Sequence, residues 1–156
     1  MIRHLSFIWL LLYSVHSAAV EITVKVGEHA PHTMTLVQLQ SALPVNAFTT
    51  HVPWLTEPHT FTGFTLTDLL KYLKVENAES VSLIALNDYA ANIAIDDVQQ
   101  YNPIVAYFLD GKPMRVRDKG PFWLVYNLSA YPQIDEPMHY TQMVWQIKEI
   151  LIHTHD

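Results

Sequence analysis

The sequence predicts a single α+β domain built on a mixed β-sheet. Short runs that alternate apolar and polar residues, and uninterrupted apolar runs of about six residues, indicate strands. Two stretches with leucines at helical spacing indicate short helices between them. Since no internal repeat or linker divides these segments, we expect one mixed-sheet domain.

The composition is that of a folded domain. The chain has 156 residues, of which 50% are hydrophobic and 15% charged, so it can form a core of its own. Its formal net charge of −6 argues against phosphate-backbone recognition, and we expect no nucleic-acid partner. Because the sequence contains no cysteine, it excludes disulfides, thiolate metal ligands and thiol nucleophiles.

Residues 1–19 are predicted to form a secretory signal peptide that is cleaved off. Arg3 and His4 precede an apolar run from Leu5 to Val15, and the small residues Ser17 to Ala19 offer a cleavage site. The alternative is a membrane anchor, but the apolar run is shorter than the ~20 residues of a spanning helix. We therefore expect residues 20–156 to be one exported domain, located in a periplasm.

The first half of the domain is predicted to alternate strands with capped helices. Glu21 to Val26 alternates cleanly and predicts an opening strand. Thr35 is placed to cap a short helix, and Val45 to Val52 follows as a strand. Thr65 begins the clearest helix in the sequence, with its leucines on one face.

A β-hairpin and a further short helix are predicted next. Val81 to Leu86 and Ala91 to Ile95 form two apolar arms around the turn Asn87 to Tyr89. Asp96 is placed to cap a helix that ends at Tyr101, before a proline.

The last third is predicted to contain the central strand. Ile104 to Leu109 is continuously apolar, as expected for a strand covered on both faces. Pro121 to Tyr126 predicts another strand, and Asn127 to Tyr140 predicts a loop. Met143 to Ile152 fits a strand or a helix, and its β-branched residues favour the strand.

Asp110 to Tyr126 gathers most of the chemically unusual residues. Four cations lie in its first part, and a Gly-Pro pair then leads into an aromatic run, a pattern that favours a site for a flat or anionic ligand. Arg115 and Arg117 are predicted to share one face of a strand because strand side chains alternate. The alternative is a solvated edge strand, with Asp110 and Asp118 pairing with the cations.

The chain resembles a known family through an ordered set of segments. These are FTGFTLTDLL, VSLIALNDYAANI, IVAYFLDGKPM and KGPFWLVY, followed by WQIKEILI. Together they resemble the molybdopterin-binding domain of the sulfite oxidase family, and more closely the short exported members that consist of that domain alone. The likeness spans residues 33–152 and implies the sulfite oxidase molybdopterin-binding fold.

The resemblance also implies a function. The family's molybdenum-ligating cysteine would fall near Phe48 to His51, where this chain has none. Cysteine-free exported members look like pterin-binding proteins that report to membrane-bound cyclic-di-GMP synthesising or degrading enzymes. This implies a reduced pterin without molybdenum as cofactor, the periplasmic part of such a receptor as partner, and no enzyme activity. The alternative is a family oxidoreductase, or an accessory subunit, with unrecognised cofactor chemistry.

Six residues are predicted to bind the ligand. A pterin offers a flat ring for stacking and a guanidine-like edge for a carboxylate, which Tyr89 and Asp88 would supply. Trp54, in a proline-flanked loop, and Trp123, after Gly-Pro, are predicted to contact the ring, although either could be a packing residue. The cations that complete the predicted site are Arg115 and Arg117. No catalytic residue or metal ligand is predicted, and no Ser-His-Asp motif is recognisable.

Overall fold

The computed structural model describes residues 19–155. Its strands are β1 (Glu21–Val26), β2 (His32–Thr35), β3 (Asn46–Thr50), β4 (His59–Thr65), β5 (Ala78–Ala85), β6 (Ala90–Ala94), β7 (Ile104–Leu109), β8 (Lys112–Pro113), β9 (Trp123–Val125) and β10 (Ile147–Thr154). Its α-helices are α1 (Leu36–Ala42), α2 (Leu66–Tyr72), α3 (Ile95–Tyr101) and α4 (Pro137–Gln142). Two 3₁₀ turns lie at Val116–Asp118 and Pro132–Ile134.

The strands form two five-stranded sheets. The first has the order β2-β1-β10-β5-β6, and β1 and β10 pair in parallel while its other pairs are antiparallel. Buried apolar side chains cover the inner side of this sheet, among them Ile22, Val24, Leu83, Ile150 and Ile152. Burial of such side chains contributes roughly 25 cal/mol per Å² of apolar surface, which makes this layer a main source of stability.

The second sheet is organised around β7. This strand pairs with β4 on one side and with β8 and β9 on the other. Gly63 of β4 lies against β7 so closely that a Cβ atom there would be 2.0 Å from the carbonyl oxygen of Val105. Only glycine therefore fits at this position, and the β4–β7 register shifts between Thr62 and Gly63.

Backbone hydrogen bonds join the two sheets near β9. The amide of Leu124 donates to the carbonyl of Val144 at 2.8 Å, and the amide of Ile147 donates to the carbonyl of Phe122 at 3.1 Å. Trp123 and Trp145 form an isolated β-bridge. The segment that leads into β10 of the first sheet is thereby fixed against the second sheet, and the candidate site lies at this junction.

Side-chain caps define the start of the first two helices. The Thr35 hydroxyl accepts from the Gln38 amide, and the Gln38 side chain accepts from the Thr35 amide in return. The Thr65 hydroxyl accepts from the Asp68 amide at 2.9 Å. The predicted cap of α3 is wrong: the N-cap is Ala94, two residues before Asp96, and Asp96 lies in the first turn, where its charge interacts favourably with the helix dipole.

The structure confirms the predicted α+β class, with a mixed sheet in one domain of the sulfite oxidase type. The strands are divided between two sheets. The hairpin of β5 and β6, the central strand β7 and the strand character of β10 also agree with the sequence. Strands β2 and β4 were missed, and the predicted loop 127–140 contains a 3₁₀ turn and most of α4.

The predicted signal peptide falls on residues 1–19, nearly all of it outside the described residues. Between residues 19 and 155, no helix is both long and apolar enough to span a membrane.

Candidate functional site

A cavity of about 320 Å³ opens at the junction of the two sheets. It is called the aromatic cavity below, and its lining consists of Trp54, Ala85, Asn87, Tyr89, Tyr140, Thr141, Met143, Val144 and Trp145. Four of these nine residues are aromatic and none carries a charge. Apolar walls with a few polar groups are typical of sites for flat organic ligands.

Three aromatic rings form one wall of the aromatic cavity. Trp54 packs edge-on against Trp145, with ring centroids 5.1 Å apart, and against Tyr140 at 6.2 Å. All three side chains are half-buried, so part of each ring faces the cavity. Edge-on contacts of this kind fix ring orientation, which prepares the wall for stacking on a planar ligand.

Tyr89 also lines the aromatic cavity and is fixed at both ends. Its amide donates to the side chain of Asn87 at 3.1 Å, within the turn between β5 and β6. Its hydroxyl donates to the carbonyl of Thr141 at 2.7 Å. Tyr89 is 47% exposed, so its ring remains accessible to a ligand, as the sequence-based hypothesis requires.

The structure does not bring Asp88 into the cavity lining. Asp88 adopts a positive φ of 66° at the tip of the turn, and its carboxylate pairs with Lys148 at 2.5 Å. The side chain is 82% exposed. The polar lining group in this turn is the side-chain amide of Asn87, which the sequence analysis did not select.

Trp123 lies behind the cavity wall. It is fully buried, packs edge-on against Phe61 at 5.4 Å and contacts Trp54 at 5.9 Å. Its indole Nε1–H donates to the carbonyl of Met143 at 3.2 Å. Trp123 therefore supports the ring-bearing wall from the core side and is not part of the lining.

Arg115 and Arg117 lie in the segment from Lys112 to Lys119, called the basic loop below. The prediction that they share a strand face is wrong, because the strand of this segment ends at Pro113 and Arg117 lies in the 3₁₀ turn Val116–Asp118. Both side chains are exposed, and Arg115 Nε donates to Asp118 at 2.6 Å. The segment is solvated and Asp118 pairs with both arginines, as the alternative expected, but it is not an edge strand and Asp110 pairs with His59.

Lys119 is the residue of the basic loop that reaches the aromatic cluster. Its Nζ lies 3.8 Å from the centroid of Trp145, 5.5 Å from that of Trp123 and 5.8 Å from that of Trp54. Burial lowers the pKa of Lys119, because the ammonium loses solvation there. Ring faces attract such a cation, so Lys119 connects the basic loop to the cavity wall.

A polar cluster adjoins the cavity through Tyr140. His51 Nε2 lies 2.7 Å from Asp135 Oδ2, and His51 Nδ1 lies 3.2 Å from Ser129 Oγ. The Tyr140 hydroxyl donates to Asp135 Oδ1 at 2.5 Å. Hydrogen bonds from Tyr140 and His51 hold the pKa of Asp135 below its usual value, so this carboxyl is ionised at neutral pH. We name Ser129, His51 and Asp135 the polar triad.

No thiolate occupies the position that the resemblance gives to the metal ligand. The region expected to hold the cysteine ligand contains the buried Thr50 and then His51. Among residues 19–155, no group of three or more histidine, cysteine or acidic residues could hold a metal ion. His153 instead contacts Ser82 Oγ, and His155 pairs with Glu79.

Comparison with known proteins identifies the family. Residues 13–128 match the family model described as "Oxidoreductase molybdopterin binding domain". The fold is similar to the crystal structure of the sulfane dehydrogenase SoxCD from Paracoccus pantotrophus, with a TM-score of 0.63 and 15% identity. The match covers 86% of this chain but only 38% of that chain. No curated protein sequence matches the chain significantly.

These comparisons correct one prediction. The chain was expected not to be an enzyme because it lacks the cysteine ligand, and this is wrong: the family model that matches residues 13–128 describes an oxidoreductase domain. The absence of one ligand type was too narrow a basis for the conclusion.

Proposed function

The chain belongs to the oxidoreductase molybdopterin binding domain family, and on that premise we propose that its aromatic cavity holds the pterin rings of a molybdopterin-type cofactor. The observation that carries the proposal is the wall formed by Trp54, Tyr140 and Trp145, in a lining that also includes Tyr89. When bound, the cofactor supplies the redox chemistry, and the protein supplies binding, orientation and electrostatics.

The lining chemistry agrees with a planar, uncharged ring system. No charged side chain faces the cavity, so a ligand there loses its hydration without meeting an unpaired charge. The amide of Asn87 can both donate and accept hydrogen bonds, as the ring edge of a pterin requires. Each aromatic contact contributes about 0.5–1.5 kcal/mol beyond the area that it buries.

The metal content of the cofactor is a separate part of the proposal. Since the chain has no cysteine, it offers no protein thiolate, and our expectation of a reduced pterin without molybdenum rests on that count. The ring contacts that we assign do not depend on a metal. Elemental analysis of the isolated protein tests this part alone, and stoichiometric molybdenum would contradict it.

Calorimetric titration with a tetrahydropterin tests the ring assignment. We expect saturable binding at one site per chain, and Trp54→Ala should weaken it. Tyr72→Ala is a matched control, because Tyr72 is 48% exposed on α2 and does not line the cavity. Equal losses in both variants would contradict the assignment.

We also propose that the domain is exported and relays ligand state to a membrane-bound enzyme of cyclic-di-GMP metabolism. The exposed Arg115 and Arg117 support a docking surface at the basic loop, on a chain that is otherwise acidic. A relay requires that the ligand change the affinity for the receptor, since equal affinities shift no equilibrium. Recovery of membrane partners with and without tetrahydropterin tests this, and identical recovery would contradict it.

A further inference from the structure

The polar triad forms a continuous hydrogen-bonded chain at the surface, outside the cavity lining. Its members come from distant parts of the sequence: His51 follows β3, Ser129 lies in the turn after β9, and Asp135 follows the second 3₁₀ turn. We propose that Ser129 is a nucleophile for acyl transfer from small esters to water, with His51 as its general base and Asp135 as the group that orients the imidazole. This activity is independent of pterin binding.

The hydrogen bonds determine the direction of proton transfer. Asp135 Oδ2 accepts from His51 Nε2–H at 2.7 Å, which leaves Nδ1 as an acceptor. Ser129 Oγ lies 3.2 Å from Nδ1, so its hydroxyl can donate to that nitrogen. A nucleophile, a base and an orienting carboxylate in series are the three groups that serine acyl transfer uses, and geometry defines them rather than order in the chain.

The carboxylate of the polar triad is itself held in place. Its second oxygen, Oδ1, accepts the hydroxyl of Tyr140 at 2.5 Å, while Oδ2 faces His51. With both oxygens engaged, the carboxylate cannot rotate away from the imidazole. An anion fixed in this position stabilises the imidazolium that forms when His51 accepts a proton.

Ser129 is rigidly held but accessible. Its amide donates to Thr50 Oγ1 at 3.0 Å, and Thr50 is fully buried. Asn127 closes the surrounding turn by accepting from the amide of Ala130 through both its side chain and its carbonyl. Since Ser129 itself is exposed, a substrate can reach its hydroxyl without any movement of the core.

The reaction balances with water as the second reactant. Ser129 Oγ attacks the ester carbonyl carbon and its proton passes to His51 Nδ1. The bond from carbon to the alcohol oxygen then breaks, and His51 returns the proton to the leaving alcohol. Water, deprotonated by His51, then attacks the acyl carbon on Ser129. The bond from that carbon to Ser129 Oγ breaks, His51 returns the proton to Oγ, and the carboxylic acid leaves.

Hydrolysis of p-nitrophenyl acetate by the full chain tests the proposal. We expect turnover by the wild type and a loss of about 100-fold or more in Ser129→Ala and His51→Ala, the range that a positioned base contributes. Ser41→Ala is the matched control, because Ser41 is an exposed serine whose hydroxyl donates only to the Val37 carbonyl of its own helix. A fluorophosphonate probe should label Ser129, and peptide mass mapping identifies the labelled residue.

Three results would overturn the proposal. These are wild-type hydrolysis no faster than that of Ser129→Ala, labelling at another residue, and full activity in His51→Ala. Thermal melting separates lost chemistry from lost structure, because Ser129→Ala should melt like the wild type. Titration of the same preparations with tetrahydropterin keeps the two functions apart: Ser129→Ala should bind it normally, so failure of one activity leaves the other measurable.

Discussion

The aromatic cavity and the basic loop differ in how their side chains are held. In the cavity, Trp54, Tyr140 and Trp145 are half-buried and fix one another by ring contacts. In the loop, Arg115 and Arg117 are exposed and their nearest charged partner is Asp118. The side chains of the cavity are therefore already in place without a ligand, whereas the loop presents long, exposed side chains to solvent.

This difference assigns the two regions to different kinds of recognition. A preformed apolar wall loses little conformational entropy when it stacks on a ring, so it favours a small planar ligand. Exposed cations act mainly on the rate of encounter with a charged partner and contribute little to small-molecule affinity. Lys119 is the link between them, because it belongs to the loop and contacts the rings.

The largest effect is expected from removing the support behind the cavity. Trp123→Ala should destabilise the fold by about 3–5 kcal/mol, because Trp123 is fully buried among aromatic side chains. The sequence analysis predicted that Trp123 contacts the ligand ring, and its full burial assigns it a core role instead. Urea denaturation measures it, and a loss below about 1 kcal/mol would contradict the core role of Trp123.

A smaller effect should follow from removing the exposed part of the wall. Trp54→Ala should weaken tetrahydropterin binding about tenfold, which is ~1.4 kcal/mol, while the fold stays intact. Calorimetry gives the affinity and thermal melting gives the stability. If affinity is unchanged while stability falls, Trp54 is a packing residue and the ring lies elsewhere.

The polar triad beside the cavity should make the stability of the fold depend on pH through Asp135. Hydrogen bonds from Tyr140 and His51 lower the pKa of Asp135, so the folded state binds its proton more weakly than the unfolded state. Asp135 therefore adds to the free energy of unfolding at pH values above the ordinary aspartate pKa of about 3.9. This contribution is lost as the pH falls below that value and through the lowered pKa of the folded state. The stability gap between wild type and Asp135→Asn should therefore narrow in acid. A gap that widens below pH 4 would contradict this sign.

The smallest effect on the ligand is expected in the basic loop. Reversing Arg115 and Arg117 to Glu should change tetrahydropterin affinity less than about twofold, because exposed charges are screened by solvent and salt. The same double variant should slow association with the proposed membrane receptor and weaken the salt dependence of that rate. Loss of ligand affinity with intact receptor binding would instead place the cations in the ligand site.

Much of the scaffold could be predicted because local sequence and tertiary structure agree. The alternation of β1, the threonine caps of α1 and α2 and the unbroken apolar run of β7 each indicate one structure only. Strand β4 was missed because its residues lead directly into the Thr65 cap, and the helix signal dominated. Helix α4 begins with Pro137 at its first position, a start signal that the surrounding prolines and acidic residues obscured.

The candidate site could be predicted only in part, because it depends on long-range contacts. Trp54 and Tyr89 were selected from their local setting, and both line the cavity. Tyr140 and Trp145 lie in segments interpreted as loop and strand, beyond the residues that match the family model. His51 and Asp135 are 84 residues apart in sequence, so no spacing motif could have joined them.

The most direct test of the central claim is a crystal structure of the protein with tetrahydropterin bound. We predict ring density in the aromatic cavity, against Trp54 and Trp145 and facing Tyr89, with the ring edge within hydrogen-bond distance of the Asn87 amide. Density for the ring at the basic loop, or an empty cavity in a saturated crystal, would contradict the account.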